Sequence, residues 1–169
     1  SLFTIGLIAS MLYLGTLRFA SPMGWLSDQI GRKPVLVAGI ALYAVSTFLF
    51  TRTTDPAWFV LFRLLEGIGT AAVMPAGQAF IADVSSEANR SKAFGLLTTA
   101  QYGGLIAGPA LAPPLYHLGG GGKGGFYLIF YFGAILSALA ALAAFALLKE
   151  PPRRSAHKRG AAEKRGRLL

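Results

Sequence analysis

Five long apolar runs, separated by short polar segments, constrain the fold of this chain more than any other feature. About 20 residues of helix cross the hydrocarbon core of a bilayer. Backbone groups in lipid must hydrogen-bond within the protein, and the alternating polarity of barrel strands is not seen. We therefore predict an all-α membrane protein with five transmembrane helices. The predicted spans are residues 2–23, 35–50, 57–84, 93–116 and 126–148.

The composition favours lipid as the environment of most of the chain. Hydrophobic residues make up 54% and charged residues 14% of its 169 residues, whereas soluble domains carry about 25% charged residues. The sequence has no cysteine, which excludes disulfides and thiolate metal sites. Because the chain opens at Ser1 inside an apolar run, we expect it to be a fragment whose beginning is missing.

The basic residues that give the chain its net charge of +9 lie mostly on one side of the predicted spans. The other side has only Arg52 and Lys123. Since Lys and Arg accumulate in the cytoplasm, we expect the basic side to be cytoplasmic. The basic tail, residues 149–169, is expected to be a cytoplasmic linker that lies against anionic lipid and binds no nucleic acid. The basic-side residues are Arg32, Lys33, Arg90, Lys92, Lys149, Arg153, Arg154, Lys158, Arg159, Lys164, Arg165 and Arg167.

A charged, glycine-bearing stretch, residues 24–36, follows the first span. Gly31 permits a turn that a Cβ would obstruct, and Pro34 suits the first turn of the next helix, so we predict a tight loop at the membrane surface. The stretch resembles the signature G-x-L-x-D-x-x-G-R-[KR]-x-x-[LV] between the second and third helices of the major facilitator superfamily. Its fixed positions are met by Gly24, Leu26, Asp28, Gly31, Arg32, Lys33 and Leu36.

The resemblance implies an architecture and a set of partners. Residues 1–148 would be helices two to six of a six-helix amino-terminal half-domain. In that family the substrate binds near the midplane and the two halves rock about it. The implied partners are the lipid bilayer, a small-molecule substrate, the missing first helix and a carboxy-terminal half-domain.

Two charged residues of the third span, Arg63 and Glu66, are three positions apart and share one helix face. Such a pair can bind and release a proton, or Arg63 can reach the outer surface and pair with Glu66 for stability alone. Residues 63–71 resemble the superfamily's fourth-helix motif, R-x-x-[QE]-G-x-G-x-A. That resemblance implies that Arg63 faces the central cavity and takes part in proton coupling.

A further acidic residue, Asp83, ends the third span, and Arg90 follows in the link to the fourth. This link resembles the superfamily segment whose acidic residue pairs with the arginine of the signature loop. It implies an Arg32–Asp83 pair that holds one gate conformation and leaves Asp28 to meet the missing half. The alternative is a solvated surface cluster of little energy. The residues implied in gating are Gly24, Asp28, Gly31, Arg32, Lys33, Asp83 and Arg90.

The fourth span has the spacing G-x8-G-x3-G-P at Gly95, Gly104, Gly108 and Pro109. Small residues four apart let two helices approach closely, and proline bends a helix. The spacing resembles the fifth-helix signature of the drug/proton antiporter branch, and a generic packing face is the alternative. That signature continues with two more glycines where this chain has Ala-Pro at 112–113, which leaves the direction of transport open.

The resemblance thus implies proton-coupled efflux of drug-like compounds by alternating access across a bacterial plasma (inner) membrane, with the proton as the coupling ion and no cofactor or metal. The alternatives are a superfamily importer of sugars or metabolites, and a transport-inactive membrane protein that binds a partner. No grouping of nucleophile, base and orienting residue indicates an enzyme. The glycine-rich run 117–125 lacks the spacing of a phosphate-binding loop and is predicted to be a flexible outer loop. Candidate cavity residues are Tyr13, Met74, Gln78, Phe80, Gln101 and Tyr102.

Overall fold

The computed structural model describes residues 2–151 and contains helices and no strand within that range. The five predicted helices are confirmed. Most of the predicted basic tail, residues 152–169, lies outside the described residues. The helices are α1 (Leu2–Ile30), α2 (Arg32–Leu49), α3 (Pro56–Val84), α4 (Arg90–Leu118) and α5 (Gly122–Leu147).

The predicted loop over residues 24–36 is wrong, because helix occupies all of it except one residue. α1 continues to Ile30 and α2 starts at Arg32. Only Gly31 leaves the helical conformation, with φ 116° and ψ 158°. That left-handed φ favours glycine, and the Gly31 N–H still donates to the Ser27 carbonyl at 3.2 Å. The two helices therefore meet at a single-residue break, which we call the Gly31 turn.

The other helix ends follow local chemistry. Asp55 caps α3 by accepting from the Ala57 N–H at 2.9 Å, and Pro56 occupies the first helical position. At the far end of the fourth helix, the predicted flexible loop of residues 117–125 is shorter than expected. α4 extends to Leu118 and α5 begins at Gly122, so only three residues join them. Positive φ values at residues 120–122 allow this sharp reversal.

α3 lies at the centre of the packing because its glycines let two neighbours approach. It packs chiefly against α1 and α2, while α5 packs against α2, and α4 mainly against α5. A Cβ on Gly15 of α1 would come 2.7 Å from the Leu64 carbonyl oxygen of α3. A Cβ on Gly69 of α3 would come 2.8 Å from the carbonyl oxygen of Gly39 in α2. The two glycines of the 63–71 motif thus serve two different helix contacts, since Gly67 faces α1.

The bundle has two packed regions, one near each end of α2. Near the Gly31 turn, Val35, Ala72 and Ala76 form a small buried core against Met23 and Leu26. At the opposite end, which we call the aromatic end, three aromatic rings surround Phe50. Its ring centroids lie 5.1 Å from Phe130, 5.4 Å from Phe59 and 5.6 Å from Phe62.

Four of the five described helices are long and apolar enough to cross a membrane, and α4 is not among them. α4 contains Pro109, Pro113 and Pro114 and carries several polar residues. It also buries no residue within the described chain. No part of the described chain packs closely against Gly104 or Gly108, because an added Cβ at either glycine meets nothing within 4 Å. The close approach expected there remains a prediction. Gly95 is equally open.

Candidate functional site

Three charged residues from three helices meet at the Gly31 turn, and we call them the turn cluster. Asp28 belongs to the last turn of α1, Arg32 is the first residue of α2, and Asp83 is next to last in α3. The Arg32 Nε donates to Asp83 Oδ2 at 3.2 Å, and Arg32 Nη1 forms an ion pair with Asp28 Oδ1. The expected Arg32–Asp83 pair is present, and its role in gating remains a prediction.

Asp28 pairs with Arg32 across the Gly31 turn, so it is not left without a partner in the described chain. Its expected contact with another domain remains a prediction. Its side chain is nevertheless 63% exposed, against 29% for Asp83 and 22% for Arg32. The cluster therefore has a half-buried side on α3 and an open side at Asp28.

The remaining residues predicted for gating have other contacts. Arg90 does not join the turn cluster; its Nη2 donates to the Ala82 carbonyl oxygen at 3.3 Å and so satisfies one of the last carbonyls of α3. Its Nε is buried without a partner in the described chain. Gly24 lies inside α1, where an added Cβ would be in ordinary contact with Pro75. The Lys33 Nζ lies 5.1 Å from the centroid of the Phe145 ring, which is a cation–π contact.

Sequence reasoning missed Glu150, which lies just beyond α5. Its Oε1 accepts from the Arg32 N–H at 2.7 Å, and its Oε2 accepts from the Lys33 N–H at 2.9 Å. A carboxylate suits the positive end of the helix dipole. Nothing in the local sequence around Glu150 points to a partner more than a hundred residues away, so only the fold brings the groups together.

The second charged site is the buried pair, Arg63 and Glu66. Arg63 Nη1 donates to Glu66 Oε2 at 2.8 Å, and the Thr47 hydroxyl of α2 donates to Glu66 Oε1 at 2.8 Å. Glu66 is 1% exposed, so its charge is tolerable only because both oxygens have donors. The guanidinium of Arg63 also lies 5.2 Å from the centroid of the Phe50 ring. Thr47 was missed because a threonine inside an apolar run carries no signal of its partner.

The structure does not bring the candidate cavity residues into one pocket. All except half-buried Phe80 are exposed on α1, α3 or α4. Of these candidates, only Met74 lines the cavity of about 190 Å³ between α2 and α3. A larger cavity of about 410 Å³ lies at the aromatic end, between the α2–α3 and α4–α5 connections, and none of the candidates line it. A common substrate cavity for these residues remains a prediction.

Long apolar helices, close glycine contacts and charged groups at helix ends define a multi-pass integral membrane protein. The family model described as "Major Facilitator Superfamily" matches residues 1–169, so the chain belongs to that superfamily. The expectation drawn from residues 24–36 and 63–71 is confirmed at this level.

Curated relatives place the chain near multidrug resistance proteins. It is 36% identical over 132 residues to "Multidrug resistance protein 1" of Bacillus subtilis, covering 75% of this chain and 31% of that protein. It is 30% identical over 153 residues to "Multidrug resistance protein 2" of the same organism, covering 87% and 35%. For "Quinolone resistance protein NorA" of Staphylococcus aureus the identity is 28%, covering 87% and 36%. The chain thus spans about a third of the length of these relatives.

A solved structure has the same fold. The bacterial homolog of the human lysosomal transporter Spinster, in an inward-facing and unoccupied conformation, matches with a TM-score of 0.72 at 22% identity. The match covers 89% of this chain and 36% of that one. The arrangement of the five helices is therefore that of about a third of this solved structure.

Proposed function

We propose that this chain is helices two to six of a transporter that expels drug-like compounds from bacteria in exchange for protons. The similarity to two multidrug resistance proteins supports the substrate class. The chain covers only about a third of the length of these relatives, which supports a further helix and a second half-domain in the complete protein. The exposed faces of α4 are where such a helix would pack. In this proposal the Gly31 turn and the basic tail face the cytoplasm, which the distribution of Lys and Arg supports.

The observation that carries proton coupling is the buried pair. Glu66 holds a carboxylate almost out of contact with solvent, and Arg63 and Thr47 each donate to one oxygen. A proton on Oε2 would cancel the charge that binds Arg63 and release its guanidinium. Because Arg63 is one-third exposed while Glu66 is not, the arginine is the partner that is free to move. Proton binding to Glu66 would thus cause Arg63 to move.

The turn cluster would act as the gate. Arg32 joins the α1–α2 turn to the end of α3 through Asp83, and Asp28 keeps an open side. Charge pairs at such boundaries can hold one conformation and break in the other. The other half of the transporter would approach the open side of Asp28. Ion pairs that water can reach contribute little energy, so the gate could open without a large barrier.

The test uses the complete reading frame that encodes this chain, purified and reconstituted in liposomes with a pH-sensitive dye inside. A quinolone added on the outside should drive protons out of the liposomes in exchange for drug. Glu66→Gln should abolish this proton movement, and Glu87→Gln, which removes an exposed carboxylate from the α3–α4 link, should preserve it. Proton and solute moving in the same direction would support an importer, and no movement of either would contradict transport.

A second experiment concerns the chain alone. Two half-domains are needed for alternating access, so the isolated 169-residue chain should insert into liposomes without transporting quinolone. Measurable uptake or efflux by the isolated chain would contradict the proposal that it is part of one half-domain.

A further inference from the structure

The first turn of α2 has two backbone N–H groups that its own helix cannot satisfy. The cap position is held by Gly31, which has no side chain to offer. Glu150 supplies the acceptors instead, with Oε1 2.7 Å from the Arg32 nitrogen and Oε2 2.9 Å from the Lys33 nitrogen. Glu150, which is distant in sequence, thus acts as the N-cap of α2, with its two oxygens accepting from two successive amides.

Two further contacts tie the end of α5 to the same turn. The Lys33 ammonium lies over the ring of Phe145, on the last turns of α5. A Cβ on Gly31 would come 2.6 Å from Glu150 Oε1, so the carboxylate lies directly against the glycine. The Gly31 turn is therefore held from one side by α5, while the turn cluster contacts it from the α3 side.

The residue whose amide is held is also the residue that carries the charge. Arg32 uses its N–H on Glu150 and its guanidinium on Asp28 and Asp83. Fixing the backbone at the root of a long side chain reduces the freedom that its head must lose to form an ion pair. The carboxylate also adds negative charge where the helix dipole favours it.

We propose that Glu150 is a positioning residue that holds the Gly31 turn so that the Arg32 guanidinium reaches Asp83. The inference rests on the proposed function only where it treats the turn cluster as a gate. In that setting, the end of α5 and the chain that follows it would be coupled to the gate through one carboxylate. The atoms involved make the positioning role testable without any transport assay.

The first test is amide hydrogen exchange on the complete transporter in nanodiscs. In Glu150→Ala, the amides of Arg32 and Lys33 should exchange at least about tenfold faster, while amides in the middle of α5 keep their protection. Glu150→Gln retains one acceptor oxygen and should leave one of the two amides protected. The matched controls are Glu87→Ala and Lys149→Ala, which change exposed charges and should leave both amides protected.

Two results would overturn the positioning role. Unchanged exchange at Arg32 and Lys33 in Glu150→Ala would show that the carboxylate does not hold them. Lost protection throughout α5 in both Glu150 variants would show a general stabilising role in its place.

The second test asks whether Glu150 acts through Arg32. Asp83→Asn should lower the thermal midpoint of the transporter, and it should lower the midpoint less when Glu150→Ala is already present. Such non-additivity is expected for residues that share a partner. Equal shifts in both backgrounds would overturn the proposal. If quinolone is not transported but the exchange and non-additivity appear, the proposed function fails while the positioning role stands.

Discussion

α3 and α4 have the same length of 29 residues, and both contain glycines and at least one internal proline. Their surroundings differ completely. α3 buries seven residues and supplies an acidic group to both charged sites, Glu66 at one and Asp83 at the other. α4 buries none within the described chain. Glycine spacing therefore permits close packing but does not create it, and a partner helix decides whether the motif is used.

The two charged sites to which α3 contributes also differ in burial. Glu66 is buried between α3 and α2, where removal of one donor leaves a charge in an apolar setting. Asp83 lies at the end of α3, where water can replace its partner. Mutations in the middle of α3 should therefore reduce stability, and mutations at its end should reduce activity. The effect of mutations in α4 should depend on which helix packs against it.

The largest loss of stability is expected for Gly67→Val. A Cβ at this position would collide with the Leu12 carbonyl oxygen, which belongs to the backbone and cannot rotate away. Overpacking of this kind costs about 3 kcal/mol. The thermal midpoint of the complete transporter in detergent, followed by circular dichroism, should fall by several degrees. Gly77→Val is the matched control on the same helix, because its Cβ would lie 3.7 Å from Leu36 Cδ1. Equal midpoints for the two variants would refute the close α1–α3 contact.

Glu66→Ala should have the next largest effect, about 2 kcal/mol, since Arg63 is one-third exposed and reaches some water. Thr47 also loses its acceptor. Removing both charges in Arg63→Leu/Glu66→Ala should recover part of the loss, because no unpaired charge then remains in the contact. Thermal midpoints of the two variants measure this. A double variant less stable than Glu66→Ala would mean that Arg63 finds another partner.

The sequence predicts the helices well because long apolar runs have one solution in lipid. It predicts the Arg32–Asp83 and Arg63–Glu66 pairs because a motif or an i,i+3 spacing specifies them. The sequence wrongly predicts a loop over Gly24–Leu36. The polar residues suggest a turn of several residues, whereas the single residue Gly31 makes the whole turn. Contacts such as that of Glu150 depend on how distant helices pack, and no local pattern records them.

In the turn cluster, substitutions of the two aspartates should change transport more than stability. Asp28→Asn and Asp83→Asn should each cost about 0.5 kcal/mol, with Asp83 the more costly because it is less exposed. If the turn cluster is the gate that we propose, quinolone flux should fall in both variants because the cluster loses a charge, while membrane insertion and abundance stay normal. Glu87→Gln removes a carboxylate from the same end of the bundle and should leave flux unchanged. Normal flux in Asp28→Asn at normal expression would remove Asp28 from the gate.

The smallest effect is expected for Gly104→Val in the 169-residue chain, and it tests the comparison most directly. An added Cβ at Gly104 meets nothing within 4 Å, and valine is a slightly better helix former than glycine, so the change should be within about 0.5 kcal/mol. In the complete transporter a helix packed on α4 should turn the same substitution into a loss of about 1–3 kcal/mol. Thermal midpoints in the two settings measure the difference. A negligible change in both would mean that α4 faces lipid and that its glycine spacing is not a packing motif.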